Sequence, residues 1–468
     1  MTRLCIFTAA KQFGDAPALR FKSHTYSFST LADACRLSCD QLTKLPSTRI
    51  VEISATNHPD TIISLLAALH CQRTVAMLPP FTSSKSPVCL ERNTETLFSP
   101  SIPNTPKAKE LKSTPTKEAR CILFTSGSSA SPKGVVLPES ALIASAKASE
   151  ANLGWHPSDQ WILNLPLSHI GGLSILFRCL LAGKCVHLHE RFVAVQVFES
   201  IATQGATMLS LVPTTLHRLM ASEQASILKQ LRVILLGGAA ASDVLRHKWR
   251  TLKLPVLETY GMTETASQVA TTPLTTALQR SHTGMKPLDG VIVTIINEDG
   301  SPLPANTAGR IQVAGPMIMS GYLGVSPCHG KFITEDSGYI DDNGFVHVLG
   351  RMDSLIITGG ENVHPTQVEE KLKRIEGVSD AVVFGVKDEE YGQIVAAALF
   401  VQIHLFRKET LADILKKELA THHRPRRVYI ASAEKLPLLE NGKINRRLVM
   451  ETASQNLINV IYTAYSAH

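Results

Sequence analysis

Cys121-Ile-Leu-Phe-Thr125-Ser-Gly-Ser-Ser-Ala-Ser-Pro-Lys133-Gly134 reads as a compact apolar strand over residues 121–125 that runs straight into a loop of hydroxyls and glycine ending on a lysine. Hydroxyl and glycine N–H groups can wrap anionic phosphate oxygens, and Lys133 adds a point charge. The spacing G-x-x-x-x-G-K-[ST] is not satisfied, so this is not a Walker A loop. On composition alone the stretch also reads as an ordinary connecting loop.

Outward from this stretch, helical and strand patterns alternate. Residues 140–151 read as helix, and 161–165, 207–211 and 232–236 as buried strands, the last two followed by turn or helix signals. Upstream, residues 59–71 carry apolar side chains at helical spacing and 74–78 read as a short strand. Alternation of this kind predicts an α/β architecture with parallel strands. Residues 91–120 break the pattern, being rich in Thr, Pro, Ser and Lys, which is loop or linker composition. A second boundary falls near Gly350, after the glycine-rich strands and turns of residues 284–348. Beyond it, Leu355, Ile356 and Ile357 lead to the turn Thr358-Gly359-Gly360, and Pro365 opens a helix in which Val368, Leu372 and Ile375 repeat before Gly377 stops it. Residues 381–386 and 394–401 read as strands and 411–420 as helix. The expected organisation is a large N-terminal domain of mixed sheets and helices, residues 1–350, and a small α+β domain, residues 351–468. No internal repeat is visible.

Composition bounds the function. With 468 residues, 44% hydrophobic and 19% charged, the chain has the make-up of a globular protein rather than a disordered, collagen-like or coiled-coil one. No apolar run reaches the ~18–20 residues of a membrane span; the closest, residues 173–183, is interrupted by Arg178. The start, Met1-Thr-Arg-Leu-Cys-Ile-Phe, lacks the apolar region of a secretory signal, so the expected compartment is the cytoplasm. Nine scattered cysteines argue against a disulfide framework. Cys35 and Cys39 can share a helix face, but no second Cys or His pair with zinc-finger spacing accompanies them, so buried small side chains are expected. Lys and Arg (47) exceed Asp and Glu (40), a net charge of +7 that suits anionic ligands such as nucleotides. No zinc-finger or RNA-recognition signature accompanies it, and no nucleic-acid partner is expected. The basic cluster His422-His423-Arg424-Pro425-Arg426-Arg427 reads either as a solvated turn or as a neighbour of a phosphate-bearing ligand.

A second informative stretch is Tyr260-Gly261-Met-Thr263-Glu264-Thr265. A tyrosine can cover a purine face, a threonine hydroxyl can meet a phosphate, and a carboxylate can hold Mg²⁺. Each residue has an ordinary alternative: Glu264 at a helix start also suits the helix dipole. Together with Gly350-Arg351-Met-Asp353 and Asn441-Gly442-Lys443, in this order and spacing, these stretches resemble the adenylate-forming superfamily of acyl-CoA synthetases, luciferases and the adenylation domains of peptide synthetases. The resemblance covers nearly the whole chain. Within the superfamily, Pro166-Leu-Ser-His169-Ile-Gly-Gly-Leu and Thr358-Gly-Gly-Glu361-Asn362-Val are most similar to the o-succinylbenzoate–CoA ligase subgroup of menaquinone synthesis.

The resemblance implies roles at matching positions. Thr125, Ser126, Gly127, Ser128, Ser129 and Lys133 would hold the β- and γ-phosphates of ATP. Gly238 and Ala239, after a strand over 233–238, would border adenine with Tyr260 and Gly261. Thr263 would contact the α-phosphate and Glu264 would help bind Mg²⁺. Asp336 would hold the ribose and Arg351 would assist there or at the phosphates. Lys443 would be the mobile lysine of adenylation, Asp353 the hinge, and His169 a lining residue of the acyl pocket. Gly359 and Gly360 would border the path of coenzyme A. Read singly, Lys443 is a surface lysine, Asp336 and Asp353 are turn aspartates, His169 is a core histidine, and the glycines are there for turn geometry.

The implied reaction is ATP-dependent ligation of a carboxylate to CoA through an acyl-AMP. The alternatives are an aryl- or fatty-acyl ligase, an enzyme that loads a carrier-protein thiol, and a nucleotide-binding regulatory module without catalysis. A homodimer is left open by the sequence. Four positions depart from the family pattern: Ala130 for glycine, Arg310 for glutamate, Leu439 for a hydroxyl residue, and Gln393 for an acidic one.

Overall fold

A computed structural model of the chain describes residues 3–44, 50–80, 119–125, 132–275, 284–325, 327–439 and 441–460. Two compact units emerge. The larger comprises Met1–Gly238, Leu252–Thr294 and Gln312–Ile333; the smaller comprises Ala239–Thr251, Ile295–Ile311 and Thr334–His468.

The larger unit is built on two sheets. In the nine-stranded one the strands Val256–Met262, Val233–Leu236, Met208–Leu211, Gln160–Leu163, Cys185–Leu188 and Pro17–Phe21 lie side by side and run parallel. Three of them, Cys185–Leu188, Met208–Leu211 and Val233–Leu236, are buried along their whole length, as strands covered on both faces must be. Met208–Leu211 and Val233–Leu236 fall on strands expected from their apolar runs; Cys185–Leu188, interrupted by His187, was not among those expected. Trp161 is fully buried among them and satisfies its indole by donating to Ser210 Oγ at 3.0 Å. At its margins the sheet turns antiparallel: Ser267–Thr271 and Lys286–Pro287 on one side, His24–Ser27 on the other.

The second sheet, five strands wide, carries the quoted motif. Val51–Ser54, Val75–Leu78 and Ala119–Thr125 are parallel, and Lys133–Pro138 returns antiparallel to Ala119–Thr125 as a hairpin, with Gly321–Tyr322 added on its far side. The expectation of parallel strands thus holds at the centre of both sheets and fails where hairpins close them. A two-strand return pairs locally and needs no crossover helix.

Helices form as read. Pro59–His70 starts on Pro59 at N1, a position that needs no N–H donor, and ends at Cys71. Glu139–Leu153 extends slightly beyond its pattern and stops at Gly154, whereas the apolar run at 173–183 turns out to lie in a helix that was not expected, Ile170–Ala182, which ends at Gly183 in the left-handed region. Cys35 and Cys39 do share the helix Phe28–Thr43, and their thiols donate to the carbonyls of Ile63 and Ala67. The eight described cysteines are free thiols. Apart from Ala119 and Arg120, which open a strand, the segment expected to be a linker at 91–120 lies outside the described residues. Among the described residues no helix is long and apolar enough to cross a membrane.

The smaller unit holds the strand Val346–Arg351, paired antiparallel with residues 336–340, and a six-stranded sheet. In that sheet Val378–Asp388 pairs antiparallel with Gly392–Val401 over its full length, and Arg427–Ser432 lies parallel on the other side. Helices Pro365–Leu372 and Leu411–Glu418 bury Val368, Leu372, Leu411 and Leu415 against one face. Helix Arg446–Ser454 buries Val449 and Ala453 against the other. The basic cluster at 422–427 is engaged within this unit. Arg424 donates to the carbonyls of Leu419 and Lys416 at the end of a helix, and Arg426 stacks 3.9 Å over the ring of Tyr391.

Candidate active site

The chemistry-bearing residues of the larger unit collect where parallel strands end. In open α/β sheets the carboxyl ends of the strands form the crevice that receives ligands, because helices and loops diverge there. Strand Val233–Leu236 ends and Gly237, Gly238 and Ala239 follow it; Gly237 N–H donates to Leu211 O at 3.1 Å. Leu236 pairs with Glu258, so Gly238 and Tyr260 each stand two residues beyond the last common rung. Gly238 adopts a positive φ of 82° and is exposed; Tyr260 is half-buried.

After Tyr260 the chain reverses through a one-turn 3₁₀ helix, Thr263–Thr265, into strand Ser267–Thr271. A bulge falls between Tyr260 and Gly261, and a Cβ on Gly261 would lie 1.8 Å from Ser267 O. No side chain fits there, so glycine is dictated by the close approach of two backbones. Thr265, fully buried, pins the turn by donating to Met262 O and Ser267 O, both at 3.1 Å. Glu264 is left projecting at the tip. Buried Arg178, whose guanidinium burial lowers to about 10, braces the start of the returning strand by donating to Ser267 Oγ at 3.1 Å.

Glu264 meets the hairpin of the second sheet through Tyr322. The Tyr322 hydroxyl donates to Glu264 Oε1 at 3.0 Å, and Met319 N–H donates to Glu264 O at 2.8 Å. Tyr322 pairs with Val135, and its ring lies 5.4 Å from Lys133 Nζ. Thr125 and Lys133 face each other across the hairpin. Lys133 and Glu264, read from two separate motifs, are therefore bridged by a tyrosine that belongs to neither, and Thr125 stands opposite Lys133 on the hairpin. Nothing in the sequence flags Tyr322, a single aromatic in a two-residue strand. Ser126, Gly127, Ser128, Ser129 and Ala130 lie outside the described residues. The donor set suits the groups the motifs imply. A carboxylate is a hard oxygen ligand of the kind Mg²⁺ takes, and an exposed ammonium beside it suits phosphate oxygens.

His169 stands at the N-cap position of helix Ile170–Ala182 and is exposed, so it is not the core histidine of the alternative reading. Its approach segment is held by a residue the sequence did not mark. Buried Asn57 donates to Leu165 O and His189 O and accepts from Leu167 N, each at 3.0 Å.

In the smaller unit Asp336 and Arg351 are opposed across the strand pair, so Asp336 is a strand residue and not a turn aspartate. Arg351 forms a two-point contact with Asp353, Nε to Oδ1 at 3.0 Å and Nη2 to Oδ2 at 2.6 Å, and this partner holds its guanidinium above the ordinary arginine value. Asp353 lies in the 3₁₀ turn Met352–Ser354 and is exposed. Arg310, the charge-reversed departure, donates to Glu335 Oε1 and Thr334 O at 2.7 Å each, directly beside Asp336. Gly359 and Gly360 form the exposed tip of the hairpin Ile356–Thr358 with Glu361–Val363, both at positive φ (57° and 85°). Gln393 supports that hairpin by accepting from Ile357 N at 3.1 Å. Lys443 sits on a separate loop, and burial holds its ammonium below the ordinary lysine value.

These two arrangements define a class, and comparison with known proteins gives the same one. Residues 82–323 match the AMP-binding enzyme family and residues 367–443 match the AMP-binding enzyme C-terminal domain. The chain belongs to the AMP-binding enzyme family, with the large N-terminal domain and small C-terminal domain of that fold.

More particular likenesses follow within it. The chain is 37% identical over 347 residues to the 2-succinylbenzoate–CoA ligase of Bacillus licheniformis, covering 73% of this chain and 72% of the relative. It is similar to the o-succinylbenzoate CoA synthetase of Bacillus subtilis solved with the acyl-adenylate intermediate OSB-AMP (TM-score 0.79, 28% identity, 96% of this chain and 98% of that one). The same synthetase solved with ATP and magnesium ion gives a TM-score of 0.77 at 28% identity, over 94% of this chain and 98% of that one.

Proposed function

We propose that this chain is an ATP-dependent carboxylate–CoA ligase that converts o-succinylbenzoate to o-succinylbenzoyl-CoA through an acyl-AMP, in menaquinone synthesis. The observation that carries the reading is the convergence of Lys133, Tyr322 and Glu264 at the mouth of the hairpin, in a chain whose relatives are named for this ligation.

The chemistry has two steps. A carboxylate oxygen attacks the α-phosphorus of ATP, a P–O bond forms, and pyrophosphate leaves with the bridging oxygen. Then the CoA sulfur, as thiolate, attacks the acyl carbonyl, a C–S bond forms, and AMP leaves. The first step is opposed by the negative charge around the α-phosphorus. Donors aimed at the charge that develops on the departing oxygens lower this barrier most, because they need no reorganisation. Mg²⁺ when bound neutralises phosphate charge, and Glu264 is the carboxylate that would hold it. In this reading Lys133, Thr125 and residues 126–129 cradle the outer phosphates, and Thr263 meets the α-phosphate. Tyr260, with Gly238, Ala239 and Gly261, borders the adenine, and Asp336 and Arg351 orient the ribose. Lys443 stabilises the adenylation transition state, and the low-lying ammonium that burial gives it sharpens its donor strength. His169 lines the acyl pocket. Asp353 is the hinge about which the small domain turns between the steps, and Gly359 and Gly360 border the path of the thiol. We infer that the reaction runs in the cytoplasm, where ATP and CoA are available.

The test is incubation of the purified chain with ATP, Mg²⁺, CoA and a panel of carboxylic acids that includes o-succinylbenzoate, with AMP and thioester followed by mass spectrometry. The expected result is o-succinylbenzoyl-CoA formed faster than any other thioester. Faster turnover of another acid refutes the substrate, and AMP without a CoA thioester refutes the acceptor.

A further inference from the structure

Lys443 is carried by a loop that is closed on itself. Leu439 N–H donates to Lys443 O and Gly442 N–H to Leu439 O, both at 2.8 Å, and Asn445 N–H donates to Pro437 O at 2.9 Å. Leu438 and Ile444 form a single bridge rung, and Lys443 N–H donates to Asn441 Oδ1 at 3.1 Å. These bonds fix the shape of the loop. They do not fix where it stands on the domain.

Its attachment comes from the residues that follow. Ile444 packs against the cluster of Val382, Phe384, Phe400 and Val449. Arg446, three residues after Lys443, reaches Glu369 with both ends of its fork: Nη2 to Oε1 at 2.5 Å and Nη1 to Oε2 at 3.1 Å. Glu369 is only 6% exposed on the helix Pro365–Leu372. Both side chains also bond the backbone of one residue, Val383, in the strand Val378–Asp388. Val383 N–H donates to Glu369 Oε1 at 2.8 Å, and Arg446 Nη2 donates to Val383 O at 3.2 Å. The pair thus forms a planar clamp of four hydrogen bonds joining the lysine loop, a helix and a strand edge. A planar fork on a carboxylate allows one orientation, whereas an ammonium in its place would be a point charge.

We infer that Glu369 and Arg446 are positioning residues for Lys443, which fix the height of its loop for the adenylation half-reaction. The inference rests on the reading of Lys443 given above. It separates from a merely structural role of the clamp because the same small domain serves both half-reactions, while Lys443 serves one.

The test uses the full chain as Arg446→Lys and Glu369→Gln. Adenylation is measured by ATP–pyrophosphate exchange with o-succinylbenzoate, and thioester formation by supplying the acyl-adenylate with CoA. A misplacement of about 1 Å costs up to ~100-fold, so exchange is expected to slow by roughly 10–100-fold in both variants, with thioester formation unchanged. In a Lys443→Ala background neither substitution is expected to slow exchange further. Equal losses in both half-reactions, or a full additional loss in the Lys443→Ala background, overturn the inference and leave the clamp a fold element. If Lys443→Ala itself exchanges at the unaltered rate, the reading of Lys443 fails, and the clamp's role falls with it. Normal exchange in the clamp variants alone overturns the clamp and leaves Lys443 standing.

Discussion

Acid should destabilise the larger unit through two histidines under its central sheet. His187 lies on the strand Cys185–Leu188 and is 1% exposed; His189 follows it at 8%. Each Nε2 has a hydrogen-bonding neighbour, His187 Nε2 at 2.8 Å from Gln160 Oε1 and His189 Nε2 at 2.9 Å from Ser200 Oγ, and the Gln204 side chain also bonds His187. Among the described residues neither Nδ1 has a partner. A second proton would place a charge in a buried site, and at His187 beside the Arg20 charge. Burial therefore pushes His189 down to about 4, and burial together with the Arg20 charge pushes His187 down to about 3. The unfolded chain, with ordinary imidazoles near 6.5, binds more protons than the folded one between these values. Stability is thus complete above ~6.5 and is lost as pH falls from there toward the folded values. At pH 5 the unfolded state sits about 1.5 pH units below its pKa, worth roughly 2 kcal/mol per site. At pH 5 both folded rings are still neutral, so the two contributions add, and the pair is worth about 3–4 kcal/mol, a large part of a typical domain stability of roughly 5–15 kcal/mol.

The assay is urea unfolding at pH 7.5 and 5.0, comparing the wild-type chain with a His187→Gln, His189→Gln double variant. Hydrogen exchange at each imidazole C2–H, followed by mass spectrometry, reads the two titrations directly. The wild type should lose about 3–4 kcal/mol more than the double variant on acidification. Parallel losses, or an imidazole titrating near its ordinary value, would refute the reasoning. The site would feel this transition, because the His189 carbonyl is one of the anchors by which Asn57 holds the segment before His169.

Two further outcomes are expected at the site itself. Lys443→Ala should slow ATP–pyrophosphate exchange by roughly 10²–10³, about 3–4 kcal/mol of transition-state stabilisation, and spare thioester formation from supplied acyl-adenylate; equal loss in both would contradict its role. Glu264→Gln should raise the Mg²⁺ concentration needed for half-maximal turnover by about tenfold, and Tyr322→Phe by less, roughly fivefold for one lost hydrogen bond to a charged group; an unchanged Mg²⁺ titration in Glu264→Gln removes that residue from the metal.

What the sequence disclosed followed from how local each signal was. The run Val233–Leu236 is apolar at every position, and four buried residues in a row leave few alternatives to a covered strand. Pro365 marked a helix start because a missing N–H costs nothing at N1, and the apolar spacing of residues 59–71 marked another. The antiparallel margins were invisible, since pairing partners such as Gly321–Tyr322 and Lys133–Pro138 are far apart in the chain and short strands carry no period. The same separation hid Tyr322 and Asn57. Each acts by touching a residue distant in sequence, and neither type nor spacing announces such a contact. Glu369 and Arg446 were hidden for a further reason. Each is a charged residue of a type met throughout the chain, and only the fold reveals that they share a clamp.

The departures from the family pattern are decided in the same way, by neighbours and not by the substituted residue alone. Arg310 reverses a charge beside Asp336, which in isolation would redirect that carboxylate. Glu335 takes the guanidinium instead, at 2.7 Å, and the Thr334 carbonyl takes a second of its donors. The reversal is therefore absorbed one residue short of Asp336. Gln393 loses a carboxylate but keeps an acceptor, and that acceptor is spent on Ile357 N–H in the hairpin that presents Gly359 and Gly360. A neutral amide serves this bond as a carboxylate would, without placing a charge at a hairpin edge. Leu439 needs no side-chain donor where it stands, because its backbone supplies both bonds that shape the lysine loop, to Lys443 O and from Gly442 N–H. In each case the group that the family residue would offer is either supplied by a neighbour or not called upon, so these three substitutions leave the geometry around Asp336, the hairpin tip and Lys443 in place.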